Sequence, residues 1–190
     1  MNCQCIKVTR LIFCLSAISL ALHAQAPANS ARPRLVCLFL DLNSLDAADQ
    51  IKARDGAIQF VQEVAATSDV VEIMIYTSRL NVIQDFTTDH DSLVAALHAI
   101  APAAPGSSAA NRTGNDPAGN GVRARLQALQ DAVSSLSRFP DKKAMIYFSS
   151  PAPNPNLDDS FKAALKDTVD AAVRANVSIY SPSSPGLLAQ

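Results

Sequence analysis

LVCLFLDLNSLDAAD, residues 35–49, is the stretch on which the fold turns. Leu35 to Leu40 run without a polar break; the chain then meets Asp41 and opens into Asn43, Asp46 and Asp49. A short, continuous apolar run closed by turn-forming residues is the pattern of a strand covered on both faces, as in parallel sheets flanked by helices. A strand of that kind ending on a carboxylate puts Asp41 at the carboxyl end of the sheet, the edge where α/β proteins bind ligands.

Working outward, residues 47–66 are predicted to be helical, with Ile51, Ile58, Val61 and Ala65 on one face and Ala57, Phe60 and Val64 on the adjoining strip. Residues 70–77 read as a second buried strand, rich in β-branched side chains. Strand-like residues resume from Leu80 to Thr87 after only Ser78 and Arg79. That gap is too short for a crossover helix, so the two strands are expected to pair antiparallel. Asp89 or Asp91 is positioned to cap a helix over 92–100. Residues 101–121 are low in complexity and predict a flexible loop framing the Asp41 edge. Val122, Leu126, Leu129, Val133 and Leu136 mark a helix over 122–138. A strand over 144–148, a proline-containing loop, a helix over 160–176 capped by Asp158 or Asp159, and a strand over 177–180 complete the order. Strands alternating with helices, apart from one hairpin, predict a three-layer, doubly wound, mostly parallel α/β sheet with one antiparallel edge strand.

The totals agree with one globular domain: 190 residues, 48% apolar and 17% charged. A net charge of -1 argues against an electrostatic partner such as nucleic acid or an anionic membrane. Residues 1–26 read as a secretory signal peptide. Lys7 and Arg10 precede the apolar run Leu11–Leu22, and Ala24-Gln25-Ala26 gives a small-residue cleavage pattern. Cleavage after Ala26 leaves a tether over 27–34 and a domain over 35–190, secreted or periplasmic and off the membrane. It also removes Cys3, Cys5 and Cys14, so Cys37 alone remains, as a small buried hydrophobe without a disulfide partner.

The order of elements resembles the von Willebrand factor A domain, and several local words are similar to its bacterial "VWFA-related", acidobacterial-type branch. They are Asp41-Leu42-Asn43-Ser44 at the first strand end, Asp49-Gln50 with Arg54 one turn on, LNVIQDFTTDHDSLVAAL over 80–97, KKAMIYFSS over 142–150 and NVSIYSPSSPGL over 176–187. Such domains usually carry one more helix and strand beyond this point, so the resemblance implies a C-terminally truncated copy. It also implies a divalent cation, usually Mg²⁺, held at the sheet's carboxyl end by Asp-x-Ser-x-Ser, a Thr and a later Asp. Here the first position is Asp41, the second Asn43, and the third Leu45, which cannot ligate. The Thr position falls near Asn120, and the later Asp position holds Ser149. The resemblance therefore implies a degenerate, water-rich Mg²⁺ site of Asp41, Asn43 and Ser149, with Asn120 as a further candidate. The alternative is that Asp41 caps the strand end through loop N–H groups. Asp41, Ser44, Asp46 and Ser150 are the expected contacts for a protein partner.

These readings describe a secreted, non-enzymatic interaction module. The runner-up is a hydrolase or phosphotransferase using Asp41; a remnant without ligand binding is a third possibility. Against the runner-up, the residue two beyond Asp41 is Asn43, where dehalogenase-like phosphatases need a second acid. No Gly-x-Ser-x-Gly elbow, P-loop or Gly-x-Gly-x-x-Gly is present. His98, on a helix, and His90, in a loop, read as surface residues.

Overall fold

A computed structural model describes residues 33–102, 120–150 and 159–182. The signal peptide expected over 1–26, residues 27–32 of the expected tether, most of the loop over 101–121, the proline-containing loop after residue 150 with Asp158, and residues 183–190 lie outside the described residues.

The apolar run forms β1 (Leu35–Asp41). It is followed by α1 (Ala47–Gln59), a π-helical turn (Phe60–Val64), β2 (Val70–Tyr76), β3 (Leu80–Thr87), α2 (His90–His98), α3 (Asn120–Leu136), β4 (Lys143–Phe148), α4 (Asp159–Arg174) and β5 (Val177–Tyr180). The strand order is β3-β2-β1-β4-β5. β1 is the middle strand, parallel to both β2 and β4; β4 and β5 are parallel, and β2–β3 is the antiparallel pair. This is the mostly parallel, helix-flanked α/β sheet with one antiparallel edge strand that the spacing of elements predicts. The short link after Tyr76 does close a hairpin, with Tyr76 opposite Leu80.

The two faces follow from side-chain alternation. Val36, Leu38 and Leu40 of β1, with Val71 and Ile73 of β2, meet Ala53, Ala57, Ile58 and Val61 of α1 and its π turn, and Leu93 and Leu97 of α2. Cys37 and Phe39, with Met74, Tyr76 and Met145, meet Leu129, Ala132, Val133 and Leu136 of α3 and Ala172 of α4. A strand that feeds two cores cannot spare a polar residue, hence the unbroken run from 35 to 40.

Local chemistry sets the ends. The Asp46 carboxylate accepts the Asp49 N–H at 2.7 Å and starts α1. Asp89, not Asp91, caps α2, accepting from the Asp91 and Ser92 N–H groups. His90 is consequently the first residue of α2 and half-buried, where a loop position is expected from the sequence. The helix over 47–66 is also not uniform. It widens at Phe60 and ends with the Ala65 N–H on the Phe60 carbonyl at 2.9 Å, a bond across five residues that defines the π turn. Asn176 takes the left-handed conformation (φ 57°) that turns α4 into β5, a conformation asparagine tolerates better than most residues.

Candidate functional site

The carboxyl end of β1 builds the site. Asp41 is fully buried at the crest of the middle strand, and each of its carboxylate oxygens has partners. Oδ1 accepts the Ser44 N–H at 3.1 Å. Oδ2 accepts the Tyr147 hydroxyl at 3.0 Å and lies 2.9 Å from Arg125 Nε. Tyr147 comes from β4, next to β1, and its ring packs against Phe39 with centroids 5.2 Å apart. Arg125 comes from the second turn of α3 and is itself largely buried, its side chain 14% exposed.

The same residues tie the two crest loops together. Arg125 Nη2 donates to the Ser150 carbonyl at 2.6 Å. The Ser150 N–H donates to Ser44 Oγ at 3.1 Å, and that hydroxyl donates to the Asp41 carbonyl at 3.1 Å. Asp41, Arg125, Ser150 and Ser44 thus form a closed ring of hydrogen bonds. Beneath it, buried Gln50 donates its amide to the Leu42 and Leu45 carbonyls at 2.8 and 3.1 Å, fixing the loop between β1 and α1.

The electrostatics follow from burial. The Tyr147 hydroxyl is pushed up to about 12, first by burial and then by the Asp41 charge. Tyr76, opposite Asp41 on β2, is raised by burial, with Asp41 and Asp131 adding to the shift. Both phenols therefore stay protonated at neutral pH, and Tyr147 serves Asp41 as a donor, not as a base.

The donor set does not fit a divalent cation. A metal at Asp41 needs free carboxylate lone pairs and further oxygen ligands, and it is repelled by a fixed positive charge. Here the guanidinium already lies in contact with Oδ2. No group of three or more His, Cys, Asp or Glu residues suited to a metal occurs among the described residues. Asn43 donates its N–H to the Tyr76 carbonyl at 3.1 Å, Ser149 is half-buried just past β4, and Asn120 is the first residue of α3.

The expected partner contacts divide. Asp41 and Ser44 are buried inside the hydrogen-bonded ring; Asp46 is exposed and Ser150 half-buried. Ser44 N–H on Asp41 is the loop capping weighed as the alternative to a metal. Arg125 and Tyr147 were not singled out from the sequence. The available signal was Arg125 itself: it falls between Val122 and Leu129 at three- and four-residue spacing, a charge on the apolar stripe of α3.

No protein-family model matches the chain, and no curated protein is significantly similar to it. Solved structures with related architecture include the conserved hypothetical protein BatB from Bacteroides thetaiotaomicron, at 16% identity and TM-score 0.49, covering 78% of this chain and 65% of that one. An aerotolerance-related membrane protein from Bacteroides fragilis matches at 16% identity and TM-score 0.47, covering 78% and 66%. The SpRpn10 VWA domain matches at 12% identity and TM-score 0.38, covering 82% and 92%. The chain spans about two thirds of the two Bacteroides proteins. No helix among the described residues is long and apolar enough to cross a membrane.

Proposed function

We propose that this chain is an exported, non-enzymatic protein-interaction module whose crest is held by Arg125 in place of a metal ion. The observation that carries the reading is the Arg125 Nε–Asp41 Oδ2 contact at 2.9 Å. A carboxylate neutralised by a guanidinium, a hydroxyl and an N–H is a poor nucleophile, because attack requires it to shed those donors first. The same engagement sets a fixed positive charge against Oδ2, which repels a cation there. What the crest offers a partner is the surface around the ring: the exposed Asp46 and the half-buried Asn43, Ser149 and Ser150. A rigid, pre-organised loop platform suits protein recognition, since little ordering is needed on binding. Export rests on the apolar, small-residue pattern of residues 1–26.

The test is a set of thermal melts with 10 mM MgCl₂ or MnCl₂, run beside turnover of p-nitrophenyl phosphate. The expected result is no metal-dependent change in Tm and no turnover that depends on Asp41. A cation bound at about 0.1 mM Kd adds roughly 2.7 kcal/mol at a hundredfold excess, a shift of several degrees that a melt resolves easily. Such a shift, abolished in Asp41→Asn, overturns the metal-free reading; phosphoester turnover abolished in the same variant overturns the non-enzymatic one. Partner binding is tested by crosslinking in the native host: capture of a protein that Asp46→Lys abolishes supports the crest as the docking face, and capture indifferent to Asp46→Lys removes it.

A further inference from the structure

The flank of α4 that faces away from α3 is apolar and exposed. Phe161, Thr168 and Ala172 are buried, and they mark the inward side of the helix. Gln130 of α3 donates to the Ala164 carbonyl at 3.3 Å and to the Thr168 hydroxyl at 2.9 Å, which fixes the side on which α3 lies. Leu165, Val169 and Val173, spaced by four residues, run along the other flank and are 43%, 51% and 72% exposed. The core side chains of α3 meet β1 and β2, and α4 packs on β5, the last strand of the sheet, so this flank looks out beyond the sheet's edge. A row of aliphatic side chains, unlike a single exposed one, marks an interaction surface.

The strand beneath presents an edge on the same side. Among the described strands β5 pairs with β4 alone. The Lys143 N–H donates to the Asn176 carbonyl at 2.9 Å, which turns the peptide groups of Asn176 and Ser178 towards β4; by alternation those of Val177 and Ile179 face outward. Helix and strand meet at the Asn176 turn. Three residues along β5 reach Ile179, roughly 10 Å from that turn, and seven residues back along α4 reach Val169, also roughly 10 Å away. Val169, the middle of the apolar row, therefore stands level with the outward-facing Ile179.

We propose that this side binds a second copy of the chain about a two-fold axis perpendicular to the sheet, joining β5 to the partner's β5 antiparallel and laying α4 along the partner's α4. One axis serves both contacts because Ile179 and Val169 share a level. Val169 then meets its own counterpart, and Leu165 meets the partner's Val173. The charges suit self-association. α4 carries Asp159, Asp167 and Asp170 against Lys162, Lys166 and Arg174, so two copies meet without net repulsion. Lys166 and Asp170, paired at 2.6 Å within one helix, flank the apolar row, and antiparallel packing sets each Lys166 within about one turn of the partner's Asp170. Pairing also closes a strand edge that would otherwise invite irregular association. The proposal does not depend on the reading of Asp41.

One helix flank and one short strand make a small interface, so the expected Kd is about 1–100 μM. Sedimentation of the full chain across that range is expected to show the mass doubling. Val169→Glu changes an exposed position and brings two carboxylates together at the axis. It is expected to weaken association by about tenfold or more while keeping the circular dichroism of the parent. Val169→Lys does the same alone, and an equimolar mixture of the two variants is expected to restore the doubled mass, an outcome that requires Val169 to meet itself. A parent chain that stays monomeric throughout the range overturns the proposal. So does a dimer indifferent to Val169→Glu, or a mixture of the two variants that associates no better than either alone.

Discussion

Arg125→Met keeps the length of the side chain and removes its charge and its donors. Asp41 then retains only the Ser44 N–H at 3.1 Å and the Tyr147 hydroxyl at 3.0 Å, and the Ser150 carbonyl loses its 2.6 Å bond. Asp41 is fully buried, so its charge is left without compensation. Breaking a buried ion pair from one side costs about 3–5 kcal/mol. At roughly 2–4 °C per kcal/mol for a domain of this size, Tm is expected to fall by about 6–20 °C. Arg125→Lys is expected to fall between, because an ammonium cannot reproduce the fork that reaches both Asp41 and Ser150. Asp41→Asn combined with Arg125→Met removes the orphaned charge and is expected to cost less than the two single losses together, by about 2 kcal/mol or more. Urea denaturation followed by circular dichroism gives all four values. Arg125→Met also vacates the position beside Oδ2, so Mg²⁺ is expected to raise Tm in this variant and not in the parent. A loss below about 1 kcal/mol, or strict additivity in the double variant, refutes the view that the guanidinium holds the crest.

Other consequences are smaller or depend on pH. Glu72 on β2 is fully buried, both carboxylate oxygens lack hydrogen-bond partners, and Arg138 Nη2 is 3.9 Å away. Burial pushes its carboxyl up to about 7, with Arg138 opposing the shift and Asp85 adding to it. The folded state holds this proton where the unfolded chain has lost it, so stability is expected to fall as pH rises from about 4.5 to about 7 and to level off above, on the order of 3 kcal/mol in all. Glu72→Gln flattens that slope and is more stable than the parent at pH 8; melts from pH 4.5 to 8 decide it. Tyr147→Phe removes one donor from Asp41 and is expected to cost about 1 kcal/mol in urea denaturation. Gln50→Leu strands the Leu42 and Leu45 carbonyls and is expected to cost roughly 1–3 kcal/mol by the same assay. Cys37 is buried, and burial raises its thiol well above the ordinary range, with Glu72 adding to the effect. Alkylation at Cys37, read by mass spectrometry, is therefore expected only in denaturant.

The parts of the fold legible in the sequence were those encoded locally. The unbroken run at 35–40 made β1 a doubly covered strand, and the two-residue gap after Thr77 forced the hairpin. Helical spacing from Val122 to Leu136 gave α3 its inward face. Of the crest ring, Asp41, Ser44 and Ser150 were legible as loop residues, but not what joins them. Asp41 announced itself at a strand end, but its counter-ion and hydroxyl partner come from α3 and β4, joined to it by tertiary packing alone. Arg125 sits on the apolar stripe of α3, which hints at burial, but nothing near it in sequence names Asp41 as its partner. The π turn at Phe60 was hidden for a related reason: no glycine or proline marks it, and the spacing of Phe60, Val61 and Val64 fits an ordinary helix as well.

A counter-ion that is part of the polypeptide has no dissociation constant. A protein that borrows its positive charge from solution must follow the supply, and loses shape when chelators or competing ligands drain it. Here the charge sits on α3 at a local concentration fixed by the chain, and it can leave only when the helix does. On the function proposed above, the crest then keeps one geometry wherever the protein folds, indifferent to the mineral content of its surroundings, and gives up any chance of being switched by it.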